Sequence, residues 1–501
     1  MTQKAATEYQ DLEALFGRIG RLGEAAAVLH WDSSTMMPAG GAEARAEQLA
    51  ALNLAQHEML TDEATGDLLA AAAGIDMDPW QAANLREMAR RRAHATAVEP
   101  RLVEAFTKAC TATEMVWREA RPNDDFKLVL PHLESILALV REVAAAQADA
   151  LGTTPYDALL DEYEPGGRAD RIDPLFDDLA AFLPDFTDRV LARQAAGPDP
   201  LPLDGPFDRT AQRALAERFM QALGFDFAHG RLDESLHPFC GGVPDDVRIT
   251  TRYEDADFTK ALMGVLHETG HALYERGLPE GWRGQPVGHA RGMSLHESQS
   301  LLVEMQVCRS RPFLDYAAPL IRAAFDRDGA AWQPDNLYRH YTRVERGFIR
   351  VDADEATYPG HVILRYRLEQ AMLAGDLAPA DLPGAWAEGM RELVGVTPPD
   401  DRRGCLQDIH WYDGAWGYFP TYTLGAMTAA QLYDAARRDV PDLEAAIAAG
   451  DFRPLMSWLR RNVHAQASLL DGDALIAQAT GRALDPAVFK AHLEKRYLPE
   501  G

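Results

Sequence analysis

Apolar residues in this chain recur mostly at steps of three and four. Leu12, Leu15, Phe16, Ile19, Leu22, Ala26 and Leu29 fall on one stripe of a helix, where 3.6 residues make a turn. Alanine- and leucine-rich runs of similar spacing cover 100–150, 208–223, 256–276, 297–308, 361–374 and 426–449, so the pattern predicts a mainly α-helical protein. The run from Gly197 to Pro206 carries prolines at 198, 200, 202 and 206, which forbid regular helix. Helical spacing resumes on both sides of it, so we read it as a loop inside one α-helical domain spanning 1–501. One segment departs from this rule. Val247, Ile249 and Thr251 alternate with Arg248, Thr250 and Arg252, the period of a strand, and predict a small β element near residues 246–252.

Composition narrows the class. The chain has 501 residues, 47% hydrophobic and 25% charged, ordinary for a globular enzyme with a large core. Its formal net charge of −27 repels phosphate backbones and anionic lipid, which disfavours nucleic acid and membrane partners. Cys110, Cys240, Cys308 and Cys405 are far apart and form no CxxC pair. That argues against a thiolate zinc site and a disulfide framework, and fits a reducing compartment. The stretch Met1–Gln10 is polar, and even the apolar run Ile136–Ala150 is broken by Arg141 and Glu142, so a cytoplasmic location is expected.

The chemistry concentrates in Val265–Tyr274, which contains His267, Glu268 and His271. Positions i and i+4 of a helix share a face, so both imidazoles reach one metal ion, and Glu268 is the natural general base toward an attacking water. A catalytic zinc takes three protein ligands and keeps one position open. The residues three and six beyond His271 are Tyr274 and Gly277, so the third ligand comes from elsewhere. The segment Ser294–Glu304 is the best source, and Glu297 is the choice within it. Glu297 also stands at the capping-box position of a helix whose cap would be Ser294. Glu275 and Glu280 are weaker alternatives, and Glu304 is suited to holding a ligand by a hydrogen bond.

Six short patterns, in order, resemble the thermostable carboxypeptidase family typified by carboxypeptidase Taq. They are His237-Pro-Phe239, Asp246-Val-Arg-Ile-Thr250, His267-Glu-Thr-Gly-His271, His296-Glu-Ser-Gln299, Ile349-Arg-Val-Asp-Ala-Asp354 and Gly404-Cys-Leu-Gln-Asp-Ile-His-Trp411. The resemblance implies a neurolysin-like helical saddle with zinc deep in a central cleft that would divide any sub-lobes. It implies release of single C-terminal residues with broad specificity, one catalytic zinc per chain that cobalt can replace, and a homodimer. Carried over residue by residue, it makes His267, His271 and Glu297 the ligands and Glu268 the base.

The other patterns suggest how a peptide is held. A free edge of the 246–252 strand could pair with an extended substrate. Arg350, and after it Arg248, offers a planar fork for the substrate's terminal carboxylate, unless Arg350 merely pairs with Asp352 or Asp354. His410, Tyr418 and Tyr422 lie in an aromatic stretch that could supply an oxyanion donor, with Asp408 as a supporting residue. The expected function is zinc metallocarboxypeptidase; an oligopeptidase or aminopeptidase on the same zinc site is the alternative.

Overall fold

The computed structural model describes residues 3–235 and 237–499, with side chains from residue 7 onward; Met1 and Thr2 of the polar N-terminal stretch, Leu236, Glu500 and Gly501 lie outside it. Helices dominate, as the three-and-four spacing requires. The first stripe is a helix from Gln3 to Thr35, whose Leu12, Phe16 and Ile19 meet Ala72 and Met88 in a small N-terminal core. No helix among the described residues is long and apolar enough to cross a membrane.

Two of the helical runs are each broken once. The 100–150 run is two helices, Pro100–Asn123 and Phe126–Leu151, because Asp124 takes a left-handed conformation (φ 57°) that ends the first. The 426–449 run divides into Pro420–Asp439 and Leu443–Ala448 at Asp442, again left-handed. Local short-chain aspartates, invisible to an apolar period, decide both breaks. The proline-rich stretch joins the helices Ala169–Ala196 and Arg209–Leu223 as a loop.

The alternating segment is a strand, but it is not an edge. Three strands, β1 (Gly230–Glu234), β2 (Cys240–Val243) and β3 (Asp246–Thr251), form one sheet in the order β1-β3-β2. β3 pairs in parallel with β1 and antiparallel with β2, so both of its backbone edges are used. The expectation that it would pair with substrate is therefore wrong. Among the described residues neither the outer edge of β1 nor that of β2 pairs with a further strand.

Two large cores flank the centre. Phe258, Leu262, Val265 and Leu266 of the helix Phe258–Gly277 bury into one, together with Phe219, Phe313 and Trp458. The other gathers Phe176, Phe186, Trp386 and Trp416 around the helix Tyr358–Ala374. A short helix, Met293–Leu301, passes between the helices Phe258–Gly277 and Pro420–Asp439. Two glycines allow this approach. A Cβ on Gly270 would lie 2.4 Å from the Gln299 carbonyl oxygen, and one on Gly425 would lie 2.8 Å from Cβ of Glu297. Neither position has room for alanine, so glycine is what brings Glu297 to the histidine helix.

Candidate active site

The helix Phe258–Gly277 begins at Asp257, whose side chain accepts from the Thr259 amide, and carries His267, Glu268 and His271 past the short helix Met293–Leu301. His271 Nε2 lies 3.4 Å from Glu297 Oε2, and His267 Nε2 lies 3.8 Å from the same oxygen. One donor atom from each of the three residues falls within 4.8 Å of the other two. The remaining ring nitrogens are taken. Glu304 Oε2 accepts from His267 Nδ1 at 2.9 Å, and Arg309 holds the other Glu304 oxygen at 2.6 Å.

His271 is fixed by a longer relay. Its Nδ1 lies 2.6 Å from Nδ1 of His296, whose Nε2 lies 2.8 Å from Glu275 Oε1. Glu275 accepts from His296 Nε2 at the far end of the relay, and the two Nδ1 atoms share a hydrogen bond at the near end. Nδ1 of each ligand-candidate histidine is thus engaged by an outer partner, which leaves Nε2 facing Glu297. Two imidazole nitrogens and one carboxylate oxygen, each oriented by an outer partner, could hold a divalent metal ion and suit zinc with a position left open.

The electrostatics agree with that fit. Burial disfavours a charged His267, yet the carboxylates of Glu297, Glu304 and Glu268 outweigh it and pull that imidazole up to about 10. Burial takes His271 down to about 4. Burial also opposes the Glu297 carboxylate, but His267, His271 and Ser300 hold it down at about 2. The cluster is rich in acceptors and favours positive charge among them. Glu268 is pushed up to about 7 by burial, with His267 opposing, which poises a carboxylate near neutrality for taking and returning a proton.

The helix cap turned out differently from the sequence expectation. Gly292 (φ 59°), not Ser294, caps the short helix and offers no side-chain acceptor, so the acceptor comes from elsewhere in the chain: the Ser294 amide donates to Glu164 Oε2 at 2.9 Å. Glu297 is thereby released from a capping role. Glu280 lies beyond the helix, 82% exposed, and Glu275 serves His296, so neither meets the donor set.

A second charged cluster faces the first across a cavity of about 480 Å³ lined by His267, Glu268, Glu297, Arg350, Tyr358 and Tyr422. Arg350 does not pair with Asp352 or Asp354. Its Nε and one terminal nitrogen donate to Asp408 Oδ1 at 3.0 and 2.8 Å, and its other terminal nitrogen donates to the Tyr358 hydroxyl at 2.7 Å. Arg365, wholly buried, donates to the other Asp408 oxygen at 2.6 Å. Burial works against the Asp408 charge, but Arg365 and Arg350 overcome it and hold this carboxyl well below its usual range.

The remaining sequence candidates separate here. Tyr422 lines the cavity, its ring 4.9 Å from the Arg350 guanidinium. His410 stands behind it, 3.4 Å from the Tyr422 hydroxyl, and burial takes it down to about 4, so it is neutral. Tyr418 packs edge-on against Tyr422. Arg248 is not brought to the cavity: it pairs with Asp246 and stacks 4.5 Å from the Trp31 ring. That partner lies two residues away on the same strand. Sequence reasoning missed Arg365 and Tyr358, which no short-range spacing marks, and the use of His296 as the partner of His271. The last had a signal, since His296 immediately precedes Glu297.

Over residues 11–497 the chain matches the family model described as carboxypeptidase Taq (M32) metallopeptidase. It is 41% identical over 509 residues to thermostable carboxypeptidase 1 of Thermus thermophilus, with 99% of each chain covered. Carboxypeptidase 1 of Bacillus subtilis is 34% identical, with 96% of each covered. Among solved structures, Trypanosoma cruzi metallocarboxypeptidase 1 superposes with a TM-score of 0.96 at 40% identity, covering 98% of this chain and 99% of that one.

Proposed function

The chain belongs to the carboxypeptidase Taq family and is a metallocarboxypeptidase; from that premise we propose that His267, His271 and Glu297 hold one zinc ion, that Glu268 is the general base, and that Arg350 anchors the substrate's terminal carboxylate. The observation that carries this reading is the single cavity with the imidazole–carboxylate donor set on one wall and the Arg350 fork on the other. Bound by His267, His271 and Glu297, zinc, or cobalt in its place, would supply Lewis acidity toward the scissile carbonyl and the attacking water.

The chain's own residues do the rest. Arg350 presents a planar donor fork, which suits the two oxygens of an α-carboxylate and sets which bond reaches Glu268. Glu268 takes a proton from water as it attacks and returns it to the leaving amine. Tyr422, at the cavity wall with neutral His410 behind it, is the donor toward the developing oxyanion. The acyl side of the peptide runs toward Pro238 of the His237-Pro-Phe239 pattern, which lines the same cavity. A homodimer in a reducing, cytoplasmic setting accords with the family and with four free thiols.

The test uses N-blocked dipeptides, free or amidated at the C-terminus, with metal-loaded protein and Glu268→Gln as control. Release of the C-terminal residue from the free acid alone, abolished in the variant, is the expected result. Cleavage of both forms would leave the metal chemistry intact and defeat the carboxylate anchor, making the enzyme an oligopeptidase.

A further inference from the structure

Arg350, Asp408 and Arg365 form a buried triad in which two guanidiniums share one carboxylate. The arithmetic of formal charge leaves one positive charge in excess. The relative side-chain exposures are 6%, 10% and 0%, so bulk water screens little of it. The other groups packed on the triad are neutral. They are the Tyr358 hydroxyl, the rings of Tyr422 and Phe419 against Arg350, that of Trp386 4.4 Å from the Arg365 guanidinium, and His361 and His410, both taken low by burial. One terminal nitrogen of Arg365 has no hydrogen-bond partner among the described residues.

A simple ion pair of Arg350 with Asp408 would be neutral toward the cavity, because the carboxylate that orients the fork also cancels its charge. Arg365 removes that cancellation. It holds Asp408 Oδ2 from the side away from the cavity, which fixes Oδ1 on Arg350 and restores the positive charge. We propose that Arg365 is a specificity-determining positioning residue: it never touches substrate, but by offsetting Asp408 it makes the triad one anion short, and the missing anion is the C-terminal carboxylate of the peptide. The inference rests on Arg350 being the carboxylate anchor and adds what makes that anchor attractive to an anion.

The placement in the chain supports a built device rather than incidental packing. Arg365 comes from the helix Tyr358–Ala374, Asp408 from the loop before His410, and Arg350 from the turn ahead of that helix. The Arg365 guanidinium also donates to the His361 carbonyl at 2.7 Å, which locks it one turn along its own helix.

Equilibrium binding separates the roles. The measurement is calorimetric affinity of metal-loaded protein in a Glu268→Gln background for one N-blocked dipeptide, as free acid and as amide. Arg365→Gln makes the triad neutral, and the free acid should bind roughly tenfold to a hundredfold more weakly while the amide is nearly unchanged. Arg365→Lys keeps the charge and should recover most of the loss. The double variant Arg365→Gln with Asp408→Asn returns the triad to one positive charge, so it should bind the free acid more tightly than Arg365→Gln alone.

Arg350→Met is the benchmark. If it leaves the free-acid affinity unchanged, the carboxylate reading falls and takes this proposal with it. If Arg350→Met weakens the free acid but Arg365→Gln does not, or weakens acid and amide equally, only the role of Arg365 is overturned. A double variant no better than the single one would show that shape, not net charge, is what Arg365 provides, and would also overturn it. Should Arg365→Gln fail to fold, Arg365→Met, which is also neutral, takes its place in every comparison.

Discussion

The two walls of the cavity are opposite solutions to one electrostatic problem. On the histidine wall, Glu268, Glu275, Glu297 and Glu304 surround three imidazoles, and Arg309 answers only one of the carboxylates. On the arginine wall, Arg350 and Arg365 share the lone carboxylate of Asp408. The first is short of a cation and the second is short of an anion. In the proposed function a divalent metal would complete one, and a peptide carboxylate the other. Each wall is also held by supporting groups, Glu304 and His296 on one side and Arg365 on the other, of which Glu304 also lines the cavity. The comparison teaches that burial alone does not select a ligand. The sign of the unpaired charge selects it, and the supporting residues set that sign.

The largest expected effect tests whether the histidine wall is catalytic. Glu268→Gln removes the proton acceptor while keeping its shape, and kcat should fall by roughly 10²–10⁴-fold. Metal content, read by atomic absorption, should stay at one ion per chain; loss of the ion would mean Glu268 belongs to the donor set.

Asp408→Asn breaks the arginine wall, leaving two buried guanidiniums without their shared partner. Removing one partner of a buried pair costs about 3–5 kcal/mol, to be read by urea denaturation of metal-free protein. The folded pKa of Asp408 lies below its ordinary value of 3.8. Its stabilising contribution is therefore complete above that value and is lost as pH falls through it toward the folded pKa. The gap between native protein and variant should be constant from pH 7 to about 5 and should narrow below about 4. A gap that widens on acidification would contradict the assigned charge.

Glu304→Gln takes the charge from the carboxylate behind His267, and metal affinity should drop by roughly 10–100-fold with kcat of the saturated enzyme less affected. Competition with a chelating dye measures it. An unchanged affinity would mean that His267 is oriented by packing alone. Gly270→Ala has the smallest expected effect, about 1–3 kcal/mol of stability from the clash with the Gln299 carbonyl. Wild-type stability in that variant would mean that the short helix shifts freely.

Legibility differed between the walls for a physical reason. His267, Glu268 and His271 are close in sequence, and helical geometry converts their spacing directly into a shared face. The helices themselves were legible because burial of one stripe imposes a 3.6-residue period, and the strand at 246–251 because pleating imposes a period of two. The breaks at Asp124 and Asp442 were not, since a left-handed residue depends on one backbone torsion that leaves no mark on the apolar pattern.

The sequence by itself determined a helical protein with a two-histidine metal motif and a base beside it, because those features are periodic or local. Tertiary structure alone decided that β3 lies inside its sheet, that Glu164 supplies what Ser294 was expected to, and that Arg350 meets Asp408 rather than its own neighbours. It alone brought Arg365 behind them. Pairing between residues 58 and 43 positions apart is fixed by how helices pack around two cores, and packing has no short-range signature.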